Sequence, residues 1–411
     1  MLVIKRFSVG TGDRFGRQGA AQVAAFAKAR AAGVEASIVW NKSKREHDLI
    51  GSAPSDQRAA ASRAIAETGW TGPWHVDADH VGLATVDAFA PHCDFFTLDV
   101  ADFIGKPAGS AAVEAFVARH AGLSSDSSLP APLDTDTMRA AAATYLVAVA
   151  EAAKTYRRVR ELRGGDDFIT EVSMDETATP QSPSELAVIL VALADEGVPV
   201  QTLAPRFTGR FNKGVDYVGN VPAFLKEFEA DVRVAMWASK ALGLPASLKL
   251  SIHSGSDKFS IYRGMGAIVR NEGAGLHLKT AGTTWLEEIV GLAEAGGDGL
   301  AMAREVYRAA YESIDVVIAP YASVIDIDKS RLATPDEVDR WDGQAIAAAL
   351  RHVQSDPRFN SHMRQLVHVG FRVAAKMGDR YLDALDKHRA SVSRNVTENL
   401  WERHLKPLFV V

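Results

Sequence analysis

Short runs of β-branched and aromatic residues, each followed by polar residues, alternate with helical segments over the first three quarters of the chain. This alternation is typical of a parallel sheet, because parallel strands need a crossover connection that is usually a helix. The predicted strands are Leu2–Val9, Ala36–Trp40, Trp74–Asp77, Phe95–Asp99, Phe168–Ser173, Val198–Leu203, Ser247–His253 and Leu276–Lys279. Eight strands with intervening helices predict a closed α/β barrel of the (β/α)8 TIM type rather than an open sheet.

Helical periodicity places helices between most of these strands. The predicted helices are Gly19–Ala32, Ser55–Thr68, Ala108–Ala121, Asp136–Arg163, Pro183–Asp195, Val221–Ala241 and Thr284–Ala295. Ser182 precedes Pro183 and stands three residues before Glu185, which predicts a capping box. Thr284 stands three residues before Glu287 and predicts the same arrangement.

Two segments exceed a minimal barrel. Residues 104–165, after the fourth strand, predict a helical insertion in a place where a lid could lie. Residues 300–411 predict a helical C-terminal extension, with a helix start at Thr334 and a long helix around Ser361–Lys387. We therefore expect one barrel domain, 1–299, with the extension packed on it or forming a subunit contact.

The composition is that of a globular protein with a small-molecule partner. The 411 residues are 47% hydrophobic and 24% charged, with a net charge of −5 and dispersed lysines and arginines, which argues against nucleic-acid binding. No uncharged apolar run reaches about 18 residues, so we expect no membrane span. The single cysteine, Cys93, excludes an intrachain disulfide, and the N-terminus lacks a signal-peptide pattern, so we expect a cytoplasmic protein.

Histidines near two neighbouring strand ends suggest a metal centre. Side chains alternate along a strand, so His253 points into the barrel, as does His277 on the next strand, and we expect both at one rim. Glu171 is the preferred third ligand, with Asp77 or Asp79 as the alternative. Such a set of ligands suits Zn²⁺ first and also Mn, Co, Ni or Fe. The alternative is that each histidine is a hydrogen-bonded residue of the core.

Proton-carrying groups follow the third strand. Asp77, Asp79 and His80 lie within four residues, and with Glu171 they are candidate general acids and bases. The alternatives are that Asp79 caps a following helix and that Glu171 satisfies donors in a turn.

Cations and hydroxyl groups at the strand ends predict an anionic substrate. The loops after the seventh and eighth strands are rich in glycine, serine and threonine, as are many sites for phosphate or carboxylate groups. The spacing Gly10-x-Gly12-x-x-x-Gly16 does not match a dinucleotide fingerprint, so no nicotinamide cofactor is expected. The candidate substrate-binding residues are Lys42, Arg206, Lys213, Ser254, Lys258, Lys279 and Thr280.

Six motifs together resemble the tagaturonate epimerase family of hexuronate catabolism, over a span from Gly10 to about Trp401. The motifs are Gly10-Thr-Gly-Asp-Arg-Phe-Gly16, Asn41-Lys-Ser-Lys-Arg-Glu-His47, His75-Val-Asp-Ala-Asp-His80, Ala204-Pro-Arg-Phe-Thr-Gly-Arg-Phe-Asn-Lys213, Leu250-Ser-Ile-His-Ser-Gly-Ser-Asp-Lys258 and Leu276-His-Leu-Lys-Thr-Ala-Gly282. The resemblance implies a metal-dependent barrel that interconverts D-tagaturonate and D-fructuronate by inverting C4.

The implied reaction constrains the mechanism. The C4 proton of a 2-ketouronate is not α to the carbonyl, so we expect retro-aldol cleavage of the C3–C4 bond and re-addition. The metal would act as Lewis acid, and Asp79 or Glu171 would move the proton of the C4 hydroxyl. The alternatives are a class II-like metal-dependent aldolase acting on a ketose or keto-acid, and a non-catalytic sugar-acid binding protein.

Overall fold

A computed structural model describes residues 2–175, 177 and 179–410. Eight parallel strands close into a barrel in chain order, with the first strand paired to the eighth, so the predicted (β/α)8 fold is confirmed. The strands are β1 (Phe7–Thr11), β2 (Ala36–Ser43), β3 (Trp74–Val81), β4 (Phe95–Asp99), β5 (Ile169–Ser173), β6 (Thr202–Ala204), β7 (Lys249–Ile252) and β8 (Leu276–Leu278).

Both faces of the strands are buried, but they differ in chemistry. Outward residues such as Val76 and Ala78 belong to the main apolar core between the barrel and its helices. Inward residues are apolar only at the bottom, where Val39, Phe95 and Ile169 pack together. Above them the interior is polar, and Asp77 and Glu171 are fully buried there. The alternation along each strand therefore concentrates charge inside the barrel.

Helices follow the strands and then continue beyond the barrel. The helices are α1 (Gly19–Ala31), α2 (Lys44–Ile50), α3 (Pro54–Thr68), α4 (Val86–Phe89), α5 (Ser110–Arg119), α6 (Thr135–Arg163), α7 (Pro183–Asp195), α8 (Val221–Ala241), α9 (Phe259–Asn271), α10 (Thr284–Ala295), α11 (Gly297–Glu312), α12 (Ile314–Ile318), α13 (Pro335–Val338), α14 (Gly343–Leu350), α15 (Ser361–Val369), α16 (Phe371–Met377), α17 (Asp379–Lys387), α18 (Arg389–Glu398) and α19 (Lys406–Phe409). Short 3₁₀ turns lie at Ala101–Phe103, Ala121–Ser125, Ala319–Tyr321 and Lys329–Arg331, and a π-helix spans Asn399–Leu405.

Helix α9 was not among the predicted helices, because Gly264 and Gly266 weaken its helical pattern. A Cβ atom at Gly266 would lie 2.1 Å from the carbonyl oxygen of Leu408. Glycine therefore permits α9 to pack directly against α19, and tertiary packing outweighs the propensity penalty.

Two of the predicted helix starts are confirmed, and one is wrong. Ser182 and Thr334 each form a capping box with the glutamate three residues later. Helix α10 instead has Thr283 at its N-cap, without a side-chain cap. The hydroxyl of Thr284 accepts a hydrogen bond from Gln22 Nε2 at 3.0 Å, so a contact with α1 replaces the expected cap.

The predicted long helix around Ser361–Lys387 is three helices, α15, α16 and α17. The breaks fall at Gly370 and Gly378. Gly378 has φ 57°, which favours glycine, and a Cβ atom at Gly370 would lie 3.0 Å from Ala310 Cβ. These breaks let the chain turn around α11.

The C-terminal helices share a second apolar core with α10, which includes Trp285, Ile289 and Leu366. The final segment returns to the barrel, because Leu400 and Leu408 belong to the main core. The division into residues 1–299, with the insertion 104–165, and residues 300–411 stays a prediction. Among the described helices, none is both long enough and apolar enough to cross a bilayer.

Candidate active site and metal centre

Lys279, just after β8, lies at the centre of three carboxylates from two other strands. Its Nζ atom is 3.0 Å from Asp77 Oδ2, 2.8 Å from Asp79 Oδ1 and 2.9 Å from Glu171 Oε1, and it donates a hydrogen bond to Thr97. Gly10 permits this arrangement, because a Cβ atom there would lie 3.1 Å from Lys279 Cα. We call Lys279, Asp77, Asp79, Glu171 and Thr97 the lysine cluster. It joins β3, β4, β5 and β8 at the carboxyl end of the barrel.

The charges in this cluster determine its protonation. Burial lowers the pKa of Lys279, but the three carboxylates outweigh burial and raise it well above its ordinary value. Burial raises the pKa of Asp77 to about 7 despite Lys279. For Asp79, burial is outweighed by Lys279 and His80, which lower its pKa to about 2. The cluster therefore holds an ammonium, an ionised Asp79 and, in Asp77, a carboxyl that exchanges its proton near neutrality.

Beside the lysine cluster, His80, Asp175 and His253 form a group that could hold a metal ion. One potential ligand atom from each lies within 4.8 Å of the others. His80 Nδ1 is 3.1 Å from Asp99 Oδ2, and His253 Nε2 is 2.9 Å from Glu171 Oε1. One nitrogen of each imidazole thus contacts a carboxylate, and the other nitrogen is available to bind a metal ion, as in many metal sites.

The electrostatic surroundings of the two histidines favour positive charge. Burial lowers the pKa of His80, but Asp79, Asp99 and Asp175 outweigh burial and raise it to about 10. The pKa of His253 is raised in the same way, because Asp175 and Glu171 outweigh burial. Two imidazoles and a carboxylate are donors suited to Zn²⁺ and to Mn, Co, Ni or Fe. The residues present therefore fit a divalent metal ion.

Among the residues that the structure describes, four non-glycine residues have positive φ, and they lie in or after β3, β7 and β8. The values are 55° for His80, 49° for Ser254, 63° for Asp257 and 59° for Thr280. Left-handed backbone at such residues costs on the order of 1 kcal/mol each and persists where the surrounding structure fixes it. Concentration of this strain at the site indicates that these side chains are held in defined directions.

A cavity of about 640 Å³ opens above the cluster, within the usual size of small-molecule sites. The predicted site residues that line it are Asp79, His80, Lys213, His253, Ser254, Lys279 and Thr280. Asp77 and Glu171 contact Lys279 directly but are fully buried below the cavity. Of the described residues in the insertion 104–165, none lines the cavity.

Three predicted substrate-binding residues do not line this cavity. Lys42 faces outward, because its neighbour Asn41 faces inward, and its Nζ donates to the carbonyl oxygen of Arg14 at 2.8 Å. Arg206 donates to the carbonyl oxygen of Thr177. Lys258 is fully buried, and its Nζ donates to three carbonyl oxygens, those of Asn212, Val215 and Ser256. In this structure the lysines and the arginine hold backbone segments, and their assignment to substrate binding stays a prediction.

The expected meeting of His253 and His277 at one rim is wrong. The register of β7 and β8 pairs His277 with Ser251, so His277 lies one inward layer deeper than His253. Its Nδ1 is 2.8 Å from Ser8 Oγ. Burial lowers the pKa of His277 to about 3, so the ring stays neutral. The residue that reaches the rim of β8 is Lys279, two positions later.

The sequence-based site omitted Asp175, Arg14 and Arg45. Asp175 lies four positions after Glu171, at the same strand end. Arg14 follows β1, and Arg45 lies in the first turn of α2; both line the cavity. Their signal is positive charge after β1 and β2, where the prediction selected Lys42, which faces outward in the structure.

Comparison with known proteins agrees with this geometry. Residues 2–408 match the family model described as UxaE: tagaturonate epimerase. The chain belongs to the tagaturonate epimerase family. This is an isomerase-class family of enzymes, and the resemblance inferred from the six motifs is confirmed.

Named members of the family are related to this chain over nearly its whole length. A tagaturonate/fructuronate epimerase of Thermotoga maritima is 27% identical over 418 residues, which cover 97% of this chain and 80% of the relative. The native crystal structure of a fructuronate-tagaturonate epimerase from Cohnella laeviribosi is 22% identical, with a TM-score of 0.79 and coverage of 99% and 82%. A complex of the Cohnella enzyme with two glycerol molecules has a TM-score of 0.80. These tagaturonate epimerase structures share the fold of this chain.

Proposed function

We propose that this protein interconverts D-tagaturonate and D-fructuronate by inverting C4, with the aid of a divalent metal ion. The observation that carries the proposal is that Lys279 and Asp79 line the same cavity as the group of His80, Asp175 and His253, at the carboxyl ends of the strands. Family membership supports the same substrates.

The metal site proposed is His80, Asp175 and His253, with Zn²⁺ as the first candidate ion. A bound divalent ion would supply Lewis acidity, which would polarise the C2 carbonyl of the substrate and lower the pKa of a neighbouring hydroxyl. Glu171, proposed from the sequence as a ligand, instead contacts His253 Nε2 at 2.9 Å and orients that ring. His277 is not included, because its register places it below the group.

Asp79 is the proposed base for the C4 hydroxyl. It lines the cavity, it is ionised, and its Oδ1 is 2.8 Å from Lys279 Nζ. Lys279 also contacts Asp77, whose pKa is about 7. A proton accepted by Asp79 can therefore pass through the ammonium of Lys279 to Asp77 and return when the hydroxyl is re-formed. His80, 3.9 Å from Asp79 Oδ1, completes the catalytic set proposed from the sequence.

Retro-aldol cleavage of the C3–C4 bond followed by re-addition remains the proposed route, because the C4 proton is poorly acidic. Purified protein incubated with D-tagaturonate should form D-fructuronate, measured by NMR. An added aldehyde should trap the three-carbon fragment. Solvent deuterium at C4 of the product would contradict this route and indicate direct deprotonation.

The same experiment separates the alternatives. Net accumulation of three-carbon fragments without an epimer would indicate an aldolase, and saturable binding without turnover would indicate a binding protein. A cytoplasmic location is proposed with the function, since Cys93 is a buried free thiol.

A further inference from the structure

Two groups of charged residues line the cavity. In the acidic group, Asp79, Asp99 and Asp175 contact His80 or His253. The cationic group is Arg14, Arg45 and Lys213. Burial lowers the pKa of Lys213, Arg14 and Arg45 lower it further, and Glu46 and Asp79 oppose this shift, so the two arginines lie near Lys213 together with Glu46. A carboxylate entering the cavity is attracted to the cationic group and repelled from the acidic group.

Two of the three cations lack acidic partners. Arg14 Nε lies 3.2 Å from Glu46 Oε1, so Arg14 is partly neutralised. Within the described chain, neither Arg45 nor Lys213 has a carboxylate oxygen within 4.0 Å of its charged nitrogens. Lys44, on the same helix as Arg45, is by contrast paired with Asp48 at 2.6 Å. Among the described lysines and arginines that line the cavity, Arg45 on α2 and Lys213 after β6 are therefore the ones without a carboxylate partner.

Aromatic rings of the C-terminal helices lie against these cations. The guanidinium carbon of Arg45 is 5.0 Å from the ring centre of Tyr321, and Lys213 Nζ is 5.9 Å from the same ring. Phe371 lies 4.3 Å from the guanidinium carbon of Arg14. Cation–π contacts of this kind reduce the freedom of a side chain without neutralising its charge. The cations are therefore oriented while their charges stay available.

The backbone that carries Lys213 is also fixed. The buried Lys258 donates to the carbonyl oxygens of Asn212 at 2.9 Å and Val215 at 2.8 Å. Arg364 Nε donates to the carbonyl oxygen of Gly214 at 2.6 Å, and the amide of Lys213 donates to Val324 at 2.8 Å. Every residue from 212 to 215 is thus anchored, which prepares Lys213 to bind a ligand without further ordering.

We propose that Arg45 and Lys213 bind the terminal carboxylate of the sugar acid and select hexuronates over neutral ketoses. The inference rests on the proposed function and adds the residues that determine its substrate class. Arg14, held by Glu46 and Phe371, supports them as a positioning residue. The carboxylate is two carbons from C4, so holding it at the cationic group restricts where C4 can lie relative to the acidic group and its histidines.

The test compares two ligands that differ only at the terminal carbon, D-tagaturonate and D-tagatose, in which CH2OH replaces the carboxylate. In Arg45→Gln and in Lys213→Met, we expect kcat/KM for D-tagaturonate to fall about 10- to 100-fold, mainly through KM. Turnover and binding of D-tagatose should change less than twofold. Arg30→Gln is the matched control, because Arg30 is an exposed arginine 5.7 Å from the ring of Trp70 and outside the cavity.

Calorimetry measures the affinity of wild type and variants for both ligands, so the carboxylate preference can be tested without turnover. If the protein does not epimerise D-tagaturonate, the proposed function fails, yet loss of carboxylate preference in the variants would still support the subsite. Wild-type preference for D-tagaturonate in both variants would overturn the subsite while leaving the epimerase activity intact. Equal losses for both ligands would also overturn it, since they would show a general disturbance of the cavity.

Discussion

Lys279 Nζ lies 2.9 Å from Glu171 Oε1, so a single ion pair joins β8 to β5 across the interior of the barrel. The same ammonium contacts Asp77 and Asp79. One cation thus balances three buried carboxylates, and the protonation of the whole cluster depends on it.

Replacing Lys279 should abolish most activity. In Lys279→Met, Asp79 loses the charge that keeps its pKa low, and the path from Asp79 to Asp77 is broken, so we expect kcat to fall at least about 100-fold. Initial rates of epimerisation measured by NMR test this, with circular dichroism to verify folding. Lys406→Met is the comparison, since Lys406 is an exposed lysine outside the cavity, and this variant should keep at least about half of the wild-type kcat. A Lys279→Met enzyme with near-normal kcat would refute the proposed role.

The metal content of variants should distinguish the roles of His253 and His277. His253→Ala and Asp175→Asn should lose bound divalent metal, measured by elemental analysis after dialysis, because each removes a donor from the three-residue group. His277→Asn should retain metal, since His277 lies at the level of Ser251 and contacts Ser8. A chelator should inactivate the wild-type enzyme, and the same metal should restore it. Loss of metal from the His253 and His277 variants, with metal retained in Asp175→Asn, would instead support the ligand set inferred from the strand ends.

Glu287 should make the unfolding free energy depend on pH. Burial raises its pKa from 4.5 to about 7, so the folded state holds a proton that the unfolded state releases between these values. Stability therefore falls as pH rises from about 4.5 to 7, and Glu287→Gln should remove that part of the dependence. We expect the variant to be more stable than wild type at pH 8 by about 1–3 kcal/mol, measured by urea unfolding. Glu402→Gln, at an exposed glutamate paired with Lys406, is the control and should change nothing. An unchanged pH profile in Glu287→Gln would show that another group carries the dependence.

Arg364 should be essential for stability. It is fully buried, it is paired with Asp257, and it donates to Thr283 Oγ1 at 2.9 Å. Arg364→Met leaves Asp257 buried without that partner and should lower the free energy of unfolding by about 3–5 kcal/mol. The double variant with Asp257→Asn should recover part of the loss. Arg389→Met, which breaks a surface pair with Glu67, should have no measurable effect. Equal stability of the Arg364 and Arg389 variants would contradict the assigned importance of the buried pair.

The strand order was predictable from the sequence because each strand carries its own periodic pattern, and helices such as Pro183–Asp195 carry their own start signals. The depth of an inward-facing residue in the barrel could not be predicted from the sequence. It depends on the stagger between neighbouring strands, as the pairing of Ser251 with His277 shows. Likewise, a lysine or arginine in a loop has the same local pattern whether it faces ligand or backbone. Lys213 and Lys258 differ only in tertiary contacts.

The network around Asp257 has a consequence for how the protein is made. The amide of Asp257 donates to His404 Nε2, 147 residues later in the chain. At a synthesis rate of about 10 residues per second, roughly 15 s separate the two residues on the ribosome. Over that interval the loop after β7 lacks the partner that fixes its left-handed turn. All eight strands are translated before His404, so the contact that fixes this loop can form only after the sequence of the barrel is complete. We therefore expect full activity only once the end of the chain has been synthesised.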